Sequence, residues 1–335
     1  GVGRHRASLL EGVLLEGDPV LHDVRGAHGA RVHDGGVHVQ ARRLREAFPE
    51  FDALFQTRDG LLRAATAAGA EVEVTADLDR SLTALREVTG PLGLELLCAG
   101  THPFARWQSQ EVSEGERYAT LIDRTRWWGR QMVIYGVHVH VGITDVRRVL
   151  PILDGLLPFT PHLQALSASS PFWVGEETGY ASNRAQMFQQ LPTAGLPFQF
   201  ETWEQFEAFV ADQKTTGIID HLNEIRWDIR PSPHLGTIEV RVCDGMTNLG
   251  ELSAIVALIH CLVVDLDRRF SAGEKLPTMA PWLVQENKWR AARYGLDAIV
   301  ILDSDCTEKL VTEDLTALLE RLEPIARELD CVDEL

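Results

Sequence analysis

Two stretches of this chain alternate apolar and polar side chains residue by residue, and the polar members are the chemically active kinds. In Thr237-Ile238-Glu239-Val240-Arg241-Val242-Cys243, a strand would turn Ile238, Val240 and Val242 to one face. Thr237, Glu239, Arg241 and Cys243 would then share the other. Gly136-Val137-His138-Val139-His140-Val141-Gly142 repeats the arrangement with two imidazoles, and Glu71-Val72-Glu73-Val74 reads as a third such strand with two carboxylates. Side by side in one antiparallel sheet, these strands would bury the valines against helices and gather Glu, His and Arg on the opposite side. A face of that composition suits a divalent cation and a phosphate, since carboxylate and imidazole ligate the metal and a guanidinium matches phosphate in a two-pronged way. An isolated Glu-Val-Arg would more often be a solvated ion pair on a strand surface. The recurrence of the pattern is what favours a site.

The rest of the composition narrows the partners. A net charge of −17 over 335 residues argues against nucleic acid, which needs a surplus of Lys and Arg. Anionic small molecules would have to be met by local arginines. Lysine occurs only at Lys214, Lys275, Lys288 and Lys309. Five cysteines without a C-x-x-C pair fit a reduced cytoplasm rather than a disulfide framework. The apolar run 254–264 is too short for a bilayer and reads as a buried helix, so no membrane is expected.

Along the chain, residues 1 to about 48 are rich in Gly and His and show no useful period. Helices are expected over 79–88, 113–132, 146–167 with kinks at Pro151 and Pro158, from a Thr202 cap, from an Asn248 cap to about 270, over 282–294, and from a Thr312 cap. A short strand at 94–98 leads into the turn Ala99-Gly100-Thr101-His102-Pro103-Phe104, another is expected at 298–302, and 167–200 is a long loop-rich excursion with many aromatics.

Several blocks resemble the carboxylate-amine ligase family, the type 2 relatives of glutamate–cysteine ligase. They are AGTHPF at 99–104, GVHVHVG at 136–142, LSASSP at 166–171, GYASNRAQMFQQLPTAGLPFQF at 179–200, WDIRPSPHLGTIEVRVCDG at 227–245 and ENKWRAARYGLDA at 286–298. The resemblance implies an α+β fold, an antiparallel sheet with helices packed on one face, like the catalytic domains of glutamine synthetase and guanidino kinases. It implies one catalytic domain over 71–335, preceded by a poorly matching segment at 1–70, with the family usually continuing through further helix beyond the matched region. It also implies ATP and Mg²⁺ as cofactors, with glutamate and cysteine or another amine as substrates, and leaves a homodimer open. By position, Glu239 and Arg241 resemble the catalytic pair and Glu239, His138, His140 and Glu73 the metal side. Arg184, Arg230, Asn183, Thr101 and His102 resemble the substrate-binding set. One departure stands out: the family opens on a strand of the type G-[VI]-E-x-E, whereas here Gly1-Val2 is followed by Gly3-Arg4-His5.

Two other readings compete. A relative that had lost its metal site would keep the sheet and the arginines without the chemistry. A barrel metallohydrolase would use His138-Val139-His140, although barrel strands buried on both faces should be continuously apolar rather than alternating.

Overall fold

The computed structural model describes residues 13–16 and 70–335, apart from 94, 111 and 113–115. A four-stranded antiparallel sheet organises the molecule, in the spatial order β1 (Val13–Glu16), β2 (Gly136–Gly142), β6 (Thr237–Asp244), β5 (Ile229–Ser232). Pro231, which has no N–H to offer a second neighbour, is tolerated because β5 lies at the edge. The β5–β6 hairpin closes through Leu235 and Gly236, whose N–H groups donate to the Ser232 and Pro233 carbonyls. Gly236 takes a φ of 69° there, which a side chain would resist.

The valine face behaves as the alternation requires. Val137, Val139, Val141, Ile229, Ile238 and Val240 all enter the main core. Against them pack α3 (Val146–Leu156), α4 (Thr160–Ser167) and the long α7 (Leu249–Ser271). α7 is capped by the Asn248 side chain, which accepts from Glu251 N at 2.9 Å, and its apolar run is buried, as its sequence suggests. Around this layer lie α1 (Ala70–Thr89), α2 (Glu116–Arg130), the short β3–β4 hairpin (Phe172–Trp173 and Glu176–Glu177) and α5 (Asn183–Phe188). They are completed by α6 (Trp203–Thr215), α8 (Pro281–Tyr294), the β7–β8 hairpin (Ile299–Ile301 and Glu308–Leu310) and α9 (Val311–Leu329). An antiparallel sheet with helices on its apolar face is the expected α+β architecture, and it removes the parallel-barrel hydrolase reading.

The last helix begins at Val311 with Leu310 at its cap, so Thr312 lies inside it rather than capping it, and four further expectations change. Glu71–Val74 is the first turn of α1, not a strand, because Val74, Leu78, Leu82 and Leu85 form a longer stripe at helical spacing than the four-residue alternation can outweigh. The strand paired with β2 is β1 instead, with Glu16 in register with His138. The helix expected over 146–167 is two, joined by a 3₁₀ turn at Leu157–Phe159 that contains Pro158, while Pro151 is accommodated inside α3. Residues 95–99 are irregular rather than a strand.

The fourth change is a β-bulge. Val137 pairs with Cys243 and Val139 with Val240, so Arg241 and Val242 together oppose the single residue His138. The extra residue reverses the facing of the remainder of the strand. Cys243 consequently enters the core, contrary to the alternation.

Candidate active site

Glu239 lies at the centre of the polar face. Register places Arg230 opposite it on β5 and His140 opposite it on β2, and side chains directly across an antiparallel pair share a face. Arg230 Nε donates to Glu239 Oε2 at 2.6 Å, while the Arg230 Nη1 group donates to the Asn223 and Ile225 carbonyls at 2.7 and 2.6 Å. Arg241 Nη1 donates to Glu239 Oε1 and lies 3.3 Å from His138 Nδ1. His138 Nδ1 and His140 Nε2 stand 3.5 and 3.8 Å from the same oxygen, and His140 is held by Thr237 Oγ1 at 2.9 Å.

Glu239 is fully buried. Burial alone would raise its carboxyl, but Arg241, Arg230, His138 and His140 outweigh that and hold it far below the usual carboxylate range. For Arg241, burial dominates and draws the guanidinium down to about 10 in spite of Glu239.

Arg184 reaches the bulge. Its Nη1 and Nη2 donate to the Val242 and Arg241 carbonyls at 3.3 and 3.1 Å. It crosses β2 so closely that a Cβ on Gly136 would collide with its guanidinium and have to displace it. Phe188 lies beneath both guanidinium groups, 5.7 Å from Arg184 and 5.9 Å from Arg241. Asn183 Nδ2, Arg184 Nε, Gln186 Nε2 and Arg241 Nε are buried without an acceptor among the described residues. All four are donors, and a buried donor left unpaired is costly.

Thr101 and His102 are both engaged in local hydrogen bonds. Thr101 Oγ1 donates to the Phe172 carbonyl at 2.8 Å, and His102 Nδ1 accepts from the Ala105 and Phe104 amides at 2.9 and 3.3 Å. Burial lowers the imidazole pKa of His102, favouring the neutral acceptor. Glu73 lies in α1, away from any strand register with His138 or Glu239.

A residue that strand alternation does not single out ties the site loops together. Asp244 Oδ1 accepts from Ser182 Oγ at 2.8 Å, and Oδ2 from Ser170 Oγ at 2.6 Å and Ser169 N at 3.1 Å. A Cβ on Gly100 would collide with this carboxylate. The serines of LSASSP and GYASNR thus converge on one buried acid, whose pKa is raised by burial.

For Mg²⁺ the described side chains are a poor fit. The ion asks for near-octahedral oxygen ligands, while both Glu239 oxygens are taken by guanidinium groups and the remaining neighbours are imidazoles. Among the described residues no group of three or more His, Cys, Asp and Glu is arranged to hold a metal.

The fold resembles that of glutamate–cysteine ligase from Francisella tularensis, solved in complex with AMP. The TM-score is 0.51 at 14% identity, covering 76% of this chain and 69% of that one. The likeness is one of fold, an antiparallel sheet with helices packed on its apolar face. The sequence model of glutamate–cysteine ligase family 2 matches residues 64–335. Relatives bearing the provisional name glutamate–cysteine ligase 2 are 67% identical in Mycobacterium ulcerans, over 80% of this chain and 68% of theirs. In Mycobacterium tuberculosis the identity is also 67%, over 78% and 70%. The chain belongs to glutamate–cysteine ligase family 2, and with that membership it is an ATP-dependent ligase.

Proposed function

We propose that this chain makes a γ-glutamyl amide. A γ-carboxylate oxygen of glutamate attacks the terminal phosphorus of ATP and releases ADP. The amine of cysteine, or of another acceptor, then attacks the acyl carbon and expels phosphate, leaving its proton to water or a base. The observation that carries this reading is the encirclement of Glu239 by Arg230, Arg241, His138 and His140 on a buried face. Phosphoryl transfer asks mainly for positioning and for cations at developing charge. Arg241 is assigned to the transferred phosphoryl group. Asn183 and Arg184, with buried donors lacking acceptors, are assigned with Arg230 to substrate carboxylate. Thr101 and His102 would shape the neighbouring turn.

Mg²⁺ enters the proposal as the companion of ATP, with no step drawn through it. Cytoplasmic thiol synthesis is the setting that five free cysteines favour.

The test is calorimetric titration of the chain with ATP, with and without Mg²⁺, followed by detection of ADP and γ-glutamylcysteine. Mg²⁺-dependent binding with product supports the ligase. ATP binding without product marks a non-catalytic relative, and no nucleotide binding at all overturns the reading.

A further inference from the structure

Lys288, on α8, is the largest side chain fully buried in the described structure. Its ammonium pairs with Asp228, itself buried, at the entry to β5. Withdrawing two ions from water is expensive, and such pairs contribute little net stability compared with apolar side chains of the same volume. A role in fixing geometry is the better account.

What the pair fixes is visible in the hydrogen bonds. The Asp228 carbonyl accepts from the Arg241 amide at 2.7 Å, and the Asp228 amide donates to the Gly195 carbonyl at 2.8 Å. Arg241 is one of the two bulge residues, where the regular ladder is interrupted. Two residues on, Arg230 reaches Glu239. On the helix side, the Lys288 carbonyl accepts from Gln164 Nε2 at 3.0 Å, so α8 is in turn bound to α4.

We infer that the Lys288–Asp228 pair is a positioning device that anchors β5 to α8 and thereby aims Arg241. Resting on the proposed ligase reading, it adds a residue that lies on a helix rather than on the sheet.

The full chain is tested as Asp228→Asn, which keeps shape and an acceptor while discharging the pair, as Lys288→Met, and as the double variant. Hydrogen–deuterium exchange is followed in peptides covering 237–244 and 249–271, alongside steady-state kinetics. Expected are faster exchange at 237–244 with 249–271 unchanged, and a kcat reduced about 10- to 100-fold, as for a displaced catalytic group. KM for ATP and glutamate should stay within about threefold. The double variant should recover thermal stability without recovering kcat. Unchanged exchange at 237–244, exchange rising equally in both segments, or recovery of kcat together with stability would each overturn the inference. If the parent chain shows no ligase activity, the exchange measurement alone decides, separating this proposal from the functional one.

Discussion

Glu239 is a single carboxylate answering two guanidinium groups, and that imbalance governs what substitutions at the site will do. Replacing it with Gln leaves Arg230 and Arg241 buried beside one another without a counter-charge. Denaturant unfolding should show Glu239→Gln destabilised by about 3–5 kcal/mol. Arg241→Ala relieves like charge instead, so the fold should survive. If Arg241 meets charge that develops during transfer, kcat should fall about 10²- to 10³-fold while calorimetric ATP affinity stays near normal. An equal fall in affinity would make it a ground-state binding residue. Arg184→Lys loses the planar fork and should raise KM for glutamate more than for ATP; equal effects on both would count against the carboxylate assignment. Glu239, Arg241, His138 and His140 are legible in the sequence because period two places them together without knowledge of the rest of the fold. Asp244 and Lys288 are not, since their partners Ser170, Ser182 and Asp228 lie 74, 62 and 60 residues away. Nothing local marks such residues as buried.

At the scale of elements, the segment that departs from its alternation is the instructive one. Glu71–Val74 alternates over four residues, but α1 buries Val74 and Leu85 on a single helical stripe, and a short alternation cannot compete with a longer amphipathic period. Of the two prolines, Pro158 interrupts the helix as its chemistry suggests, whereas α3 absorbs the ring of Pro151. The same helix carries a pH dependence. Burial raises Asp154 to about 6, so the folded state disfavours its charge. The unfolded chain ionises at the ordinary lower value. Stability is therefore retained below that value and lost as pH rises through about 6. Asp154→Asn should raise the melting temperature at pH 7 and have little effect at pH 4. A second element-level test concerns β2. Gly136→Ala pushes against the Arg184 guanidinium, so it should reproduce the kinetic defect of Arg184→Lys although residue 136 bears no functional group.

For the molecule as a whole, the net charge of −17 surrounds a face where cations outnumber carboxylates. An anion such as ATP is repelled at long range and attracted only within about a Debye length, roughly 8 Å at physiological ionic strength. Stopped-flow association of ATP should accelerate as salt rises from low values, the reverse of an electrostatically steered encounter.

The bulge at Arg241 and Val242 has a consequence of this larger kind. β6 carries two alternating signals that are out of phase by one residue, one serving Thr237, Glu239 and Arg241, the other Cys243 and Asp244. Deleting Val242 would bring them into phase and leave every chemical group present. Glu239, Arg241 and Asp244 would then still share one face and Cys243 the other, so what the loss would remove is the bulged backbone itself, including the Val242 carbonyl that Arg184 grips beside that of Arg241.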